Sequence, residues 1–223
     1  KMVHDKSLKI LGGKVRILCC GAGAISTACA AYFRERCTTA EGEPVAFLEL
    51  YGATECGNLA CNRRLQPHVE WKVVPVDGDH GGGTDDVLMG EFVVMTGAMM
   101  FSGYFGDEAR TRSAFTDDGY YKTGDVVRLT LAKTPLTPPL VEVIGRAKSS
   151  IKLGNGKWVH PEELEDLYRG ATGVNHVFLH GDSSHTHLVA VVDASDDGNA
   201  DALVSAFAQL ARAACKPSHE HVA

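Results

Sequence analysis

The chain has 223 residues, 44% hydrophobic and 22% charged, the balance of a globular protein with length for one large domain or two small ones. Its 22 basic against 28 acidic residues leave a net charge of −6. Nucleic acid is therefore not an expected partner, and any anionic ligand has to be held by a local cluster. The seven cysteines are an odd number at irregular spacing, without a CxxC pair or a Cys/His ligand pattern. This predicts reduced thiols in a cytoplasmic setting and argues against a zinc site or a disulfide framework. No apolar run approaches the roughly 20 residues of a membrane span and no signal peptide opens the sequence. The expectation is a fragment with no transmembrane segment, with peripheral association with an intracellular membrane left open. The chain starts at Lys1 rather than methionine, which predicts a piece of a larger protein.

Residues 14–20, KVRILCC, predict a buried strand ended by the turn Gly21-Ala22-Gly23. A helix is predicted from about Ser26 to Arg36, with Ser26 as N-cap, and then a strand, Val45–Leu50, running into Tyr51-Gly52. Strand, helix and strand joined by a tight glycine turn give the βαβ pattern of a parallel sheet. From His68 to Ile144 the short runs VEWKVVPV, GEFVVMT, DVVRLTL and LVEVIG alternate with turn signals and show no helix, which predicts a small β-barrel-like subdomain. His80–Asp86 and Thr134–Pro139 read as exposed connections.

A third unit begins after Gly145. Asn155-Gly156 between two strand-like runs predicts a hairpin with a two-residue turn. Pro161 opens a helix whose Leu164, Leu167 and Tyr168 share a face. Val174–His180 and His187–Asp193 predict paired strands, and Asn199 would cap a last helix with the stripe Leu203, Phe207 and Leu210. The fold class is mixed α/β: the end of a βαβ parallel-sheet subdomain, a small β-barrel-like subdomain, then a small α+β C-terminal domain. The predicted boundaries are 1–66, 67–147 and 148–223.

Several segments carry chemistry-bearing residues. GAGAIS (21–26) after a strand is similar to a dinucleotide-binding GxGxxG turn, with Glu49 where a ribose-binding acid would sit, but tight packing at a strand–helix turn explains the glycines equally well. In Tyr51-Gly52-Ala53-Thr54-Glu55 the ring can stack on a base and the glycine lets backbone approach a ligand. The hydroxyl can reach a phosphate, and the carboxylate can hold Mg²⁺. The plainer alternative is a strand end followed by a helix, with Thr54 as N-cap and Glu55 in the first turn.

In Tyr121-Lys122-Thr123-Gly124-Asp125 an aspartate after a turn and before a strand can accept both hydroxyls of a ribose. Arg146, Lys148, Lys152 and Lys157 form a positive run without an acidic residue among them. That run suits phosphate or carboxylate, or else a solvated hairpin face. His176, His180, His185 and His187 show no carboxylate partner or ligand spacing and read as packing or surface residues.

Taken in order, these segments resemble the acyl-adenylate-forming family of acyl-CoA synthetases, luciferases and peptide-synthetase adenylation domains. GAGAIS is similar to its adenine-contacting turn and YGATE to its YGxTE motif. GEFVVMTGAMMFSGYF resembles the GE-x-x-x-x-G…GY segment, and YKTGD the Y-x-TGD motif. GRAKSSIK and VHPEELE resemble the GR-x-K-x-x-IK and x-P-x-E-[IL]-E motifs. The spacing from Lys152 to Pro161 and the segment FLHGDSSHTHLVAVV resemble the long-chain fatty-acyl branch.

The resemblance implies an AMP-forming fatty acid–CoA ligase acting on small molecules: fatty acid, ATP (with AMP as product) and coenzyme A, with Mg²⁺. By position, Gly21, Ala22 and Gly23 would border the adenine, with Tyr51 stacked on it beside Gly52. Thr54 would meet the α-phosphate and Glu55 the Mg²⁺. Asp125 and Arg146 would hold the ribose, Lys148 would be the hinge, and Lys152 would serve thioester formation. Thr54, Glu55 and Lys152 are thus the implied catalytic residues. Ala24 departs from the branch, which has proline there. The family's phosphate loop and terminal adenylation lysine have no match, so the fragment is expected to be inactive alone. A Rossmann dehydrogenase and a non-catalytic protein of the same fold are the rival readings.

Overall fold

In the computed structural model, residues 12, 14–23, 25, 27–39, 42–76, 84–134, 136–194, 200–220 and 222 are described. Ser26, Ala24, Asn199, Pro135 and most of the loop expected at 80–86 lie outside these residues, and the readings placed on them rest on sequence alone.

The chain divides into two compact units. One takes the residues up to Trp71 together with Val94–Tyr121 and Thr130–Val141; the other takes Lys72–Val93, Lys122–Leu129 and Glu142–Ala223. In the first, β1 (Ile17–Cys20) is followed by α1 (Thr27–Arg36) and β2 (Ala46–Ala53). β1 and β2 pair in parallel with Cys20 opposite Glu49, as the βαβ reading predicts. The parallel pattern stops there, because β2 turns directly into β3 (Gly57–Cys61), antiparallel to it. β3 in turn pairs with β4 (Arg64–Leu65). Arg64 pairs with Leu140, the first residue of β8 (Leu140–Arg146). The unit also contains a short helix, α2 (Glu108–Ser113), whose N-terminal amide at Arg110 is capped by Asp107 at 2.8 Å. A stretch read as helix-free thus contains one, too short to show a periodic face.

The second unit takes the larger part of four strands in the hydrogen-bonded order β8-β7-β6-β5, where β5 is Glu70–Val74, β6 Val87–Met95 and β7 Tyr121–Thr130. Among the described residues no pairing closes these strands into a barrel. Phe92, Val93, Val126, Val127 and Leu129 are wholly buried; because successive residues of a strand point to opposite faces, the adjacent pairs Phe92-Val93 and Val126-Val127 show that β6 and β7 are shielded on both faces there.

The remaining elements follow the predicted ββαββα order: β9 (Ile151–Lys152), β10 (Trp158–Val159), α3 (Pro161–Tyr168), β11 (Val174–His180), β12 (Val189–Ala194) and α4 (Ala200–Ala213). The β9–β10 turn has three residues rather than two. Leu153 N–H donates to the Lys157 carbonyl and Gly156 N–H to the Leu153 carbonyl, both at 2.9 Å. Gly156 is left-handed at φ 78°, the pattern of a type I turn closed by a glycine bulge. In α3, proline occupies the first turn and Leu164 and Tyr168 face a core with Leu153, Val159, Leu179, Leu188 and Phe207. Tyr168 stacks on Phe207 at 4.6 Å between centroids.

Candidate functional site

In the first unit two of the expected segments form neighbouring features of β1 and β2. The turn Gly21-Ala22-Gly23 is exposed, and Ala22 has φ 66°. A left-handed non-glycine residue is uncommon, costs about 1–2 kcal/mol, and gathers at functional turns. Along β2 the register with β3 shifts between Tyr51 and Gly52, a bulge of the kind that re-aims a side chain. A Cβ on Gly52 would stand 2.1 Å from the Gly57 carbonyl oxygen, so only glycine lets the strands cross this closely.

Thr54–Cys56 form the hairpin turn, with Thr54 exposed and Glu55 half-buried. This corrects the plainer alternative: no helix follows, and Thr54 caps nothing. The turn is tied down from 96–104. Thr96 donates its hydroxyl to the Cys56 carbonyl at 2.9 Å. Phe101 N–H donates to the Glu55 carbonyl at 2.8 Å, and the Tyr104 hydroxyl donates to Glu55 Oε1 at 2.9 Å. Glu49, the acid a dinucleotide would need, is ion-paired with Arg34.

In the second unit the motifs YKTGD and GRAKSSIK converge. Asp125 lies inside β7, not ahead of it, and is 8% exposed. Its carboxylate accepts from Arg146 Nε at 3.0 Å, while the Arg146 side chain remains 65% exposed. The Thr123 hydroxyl donates to the Phe92 carbonyl at 2.7 Å and accepts from the Asp125 N–H at 3.1 Å. Asp125 is thus fixed at backbone and side chain, with an arginine fork at the surface beside it.

Lys148 is exposed in a single 3₁₀ turn, Ala147–Ser149. The next residue, Ser150, bonds the Arg146 carbonyl at 3.1 Å and His160 Nδ1 at 3.0 Å. Exposed Lys152 pairs across the hairpin with Trp158, its Nζ 5.7 Å from the ring centroid.

Within each unit the structure joins residues the sequence could only list: Tyr51 to Glu55 on one hairpin, and Asp125 with Arg146 in one ion pair. One histidine reading is corrected, because His185 Nδ1 lies 3.1 Å from Asp182. That contact and the Ser184 N–H hold the Asp182 carboxyl below the usual aspartate range, the backbone donor contributing most. Both residues are exposed. Among the described residues no cluster of three or more His, Cys, Asp or Glu could enclose a metal. Tyr104 was missed: its motif was visible as Gly103-Tyr104, but a tyrosine in a glycine-rich segment names no partner by itself.

No protein-family model matches the chain. It is 32% identical over 203 residues to long-chain-fatty-acid–CoA ligase 5 of Rattus norvegicus, covering 86% of this chain and 28% of that protein. It is 28% identical over 210 residues to the peroxisomal long chain acyl-CoA synthetase 6 of Arabidopsis thaliana, covering 88% and 28%. The chain therefore spans little more than a quarter of the length of these relatives. Among solved structures, the A domain of carboxylic acid reductase from Segniliparus rugosus, in complex with AMP and a co-purified carboxylic acid, superposes with a TM-score of 0.76 at 26% identity. It covers all of this chain and 35% of that one. The fold agrees with the sequence on the superfamily and the sequence relatives give the branch: the chain belongs to the acyl-adenylate-forming, AMP-binding superfamily, on its long-chain fatty acyl-CoA synthetase branch.

Proposed function

We propose that the protein carrying this chain is an AMP-forming fatty acid–CoA ligase of the cytoplasm, free or peripheral on an intracellular membrane, that uses fatty acid, ATP and coenzyme A and no nucleic acid. A fatty-acid carboxylate oxygen attacks the α-phosphorus of ATP and pyrophosphate leaves. The coenzyme A thiol, losing its proton, then attacks the acyl carbonyl carbon and AMP leaves. The observation that carries this reading is the Asp125–Arg146 pair. Two motifs that the family resemblance assigns to one ribose meet at 3.0 Å, and a buried carboxylate beside an exposed guanidinium offers acceptors and donors to a diol.

In the first unit the Gly21–Gly23 turn and Tyr51 take the adenine, and Thr54 the α-phosphate. Glu55 suits Mg²⁺. It is a hard oxygen donor, half-buried at a tied-down turn and, among the described residues, outside any cluster of three or more His, Cys, Asp or Glu, and Mg²⁺ commonly takes one or two carboxylates and completes its shell with water and substrate phosphate. Bound there, it would offset the charge of the triphosphate. In the second unit Lys148 is the hinge, and the domain boundaries are those read from sequence. Lys152, held over Trp158, gives its charge to the carbonyl oxygen of the thioester step.

Single-turnover assays of the two half-reactions in the whole protein test this. Lys152→Ala slows thioester formation from preformed acyl-AMP by about 10²–10³ and spares pyrophosphate release, and Glu55→Ala does the reverse. Equal slowing of both steps by Lys152→Ala would remove the role given to it. The 223-residue chain alone releases no fatty-acid-dependent pyrophosphate.

A further inference from the structure

Tyr104 takes no part in the roles given so far, yet the first unit is built to hold its hydroxyl in one place. The ring packs edge-on to Phe101 at 5.0 Å between centroids, and the Arg110 guanidinium lies 4.0 Å over its face. Its backbone N–H donates to the Thr111 hydroxyl at 2.8 Å, and that hydroxyl donates to the Asp107 carbonyl at 2.9 Å. Gly103 before it has φ 140°, and a Cβ there would stand 2.8 Å from Thr111 Cγ2. The helix α2 therefore fixes the backbone of Tyr104, while Phe101 and Arg110 fix its ring.

The hydroxyl donates to Glu55 Oε1 at 2.9 Å. It is also bonded to Tyr121, which is 6% exposed. A phenol has one proton, and that of Tyr104 goes to Glu55, so Tyr104 accepts from Tyr121. The result is a chain of donors, Tyr121 to Tyr104 to Glu55, that ends on a carboxylate at a hairpin turn. Burial first, and then the bond to Tyr104, push the Tyr121 phenol well above the ordinary tyrosine range, so it stays a donor across the working pH range.

We propose that Tyr104 is a positioning residue: its hydroxyl, backed by Tyr121, fixes which oxygen of Glu55 faces the cation that accompanies the nucleotide. The inference rests on the reading of Glu55 as cation ligand. Partners that orient a metal-binding carboxylate set its affinity as well as its geometry, and here the partner is held by contacts that do not involve the ligand.

The test is Mn²⁺ binding by electron paramagnetic resonance, in the whole protein with an ATP analogue whose α,β-bridge is not cleaved. Tyr104→Phe keeps the ring and removes only the hydroxyl. It should weaken Mn²⁺ about 10-fold and leave analogue affinity in metal-free buffer unchanged. Tyr121→Phe should give a smaller loss of the same kind. In a Glu55→Gln background, Tyr104→Phe should add nothing. Wild-type Mn²⁺ affinity in Tyr104→Phe, with Glu55→Gln weakened, would overturn the proposal and leave the Glu55 reading standing. The same loss in both backgrounds would also overturn it, since Tyr104 would then act through the fold. If Glu55→Gln itself binds Mn²⁺ normally, the reading of Glu55 fails first and the inference with it.

Discussion

Asp125 and Arg146 are unequal partners, and their inequality sets what each substitution does. The aspartate side chain is 11% exposed and the arginine side chain 65%. Removing Arg146 leaves a shielded carboxylate without its guanidinium, whereas removing the Asp125 charge leaves an arginine that water can solvate. Arg146→Ala is therefore expected to lower stability by about 1.5–3 kcal/mol and Asp125→Asn by about 1 kcal/mol or less, measured by urea unfolding. Both should weaken AMP binding about 10-fold by calorimetry, the loss expected for one charged hydrogen bond to a ligand. The reverse order of stabilities would mean that the aspartate is fixed mainly by Thr123. Both residues were legible in the sequence, because an Asp after Thr-Gly and an Arg opening a basic run are distinctive in type and spacing. Tyr104 was not. Its role depends on a contact with Glu55, 49 positions away, and no local pattern encodes that pairing.

At the scale of elements, the pattern that sequence shows best is periodic burial. It located α3, β11, β12 and α4 closely because each must hide one face. The β2–β3–β4 run was lost for the opposite reason: its strands are short, and β3 joins β4 through Asn62 and Arg63, both left-handed at φ 47° and 66°. Such a turn usually announces itself as Asn-Gly. Here an arginine takes the second place, and the turn is anchored instead through the Asn62 side chain, whose Oδ1 accepts from the Glu49 N–H at 2.9 Å.

Helix α3 also carries a charge that responds to acid. Burial pushes the Glu163 carboxyl up, but Lys216 at 2.6 Å and Arg128 at 3.2 Å more than offset it, and its pKa lies below the ordinary glutamate range. A folded pKa below the unfolded one means that the unfolded chain binds the proton more readily. The stabilisation is complete above the unfolded value of about 4.3 and is lost as pH falls through the folded value. Glu163→Gln should therefore flatten the acid limb of stability below about pH 5 while leaving the slope near pH 7 unchanged. An unaltered acid limb would show that the ion cluster contributes nothing.

For the molecule as a whole, β5, β6, β7 and β8 each contribute residues to both compact units, so the division is not a simple cut of the chain. The second unit also includes residues on either side of Lys148. One reason is visible in the ion cluster. Arg128 lies in β7, ahead of Lys148, and bonds both Glu142 at 2.9 Å and Glu163, beyond Lys148, at 3.2 Å. If the residues after Lys148 turn as a body, this bond has to open. Parting a charged hydrogen bond between half-shielded partners costs about 1.5 kcal/mol, or roughly a tenfold change in an equilibrium. The ratio of turned to unturned molecules is then biased by the chain itself before any ligand arrives, and a ligand must add differential affinity for the turned form to reverse that bias. With fluorophores placed either side of Lys148, Glu163→Gln should raise the turned population of the ligand-free protein about tenfold. Arg128 and Glu163 would then act as a latch, a resting preference that the chain carries whether or not a ligand is bound.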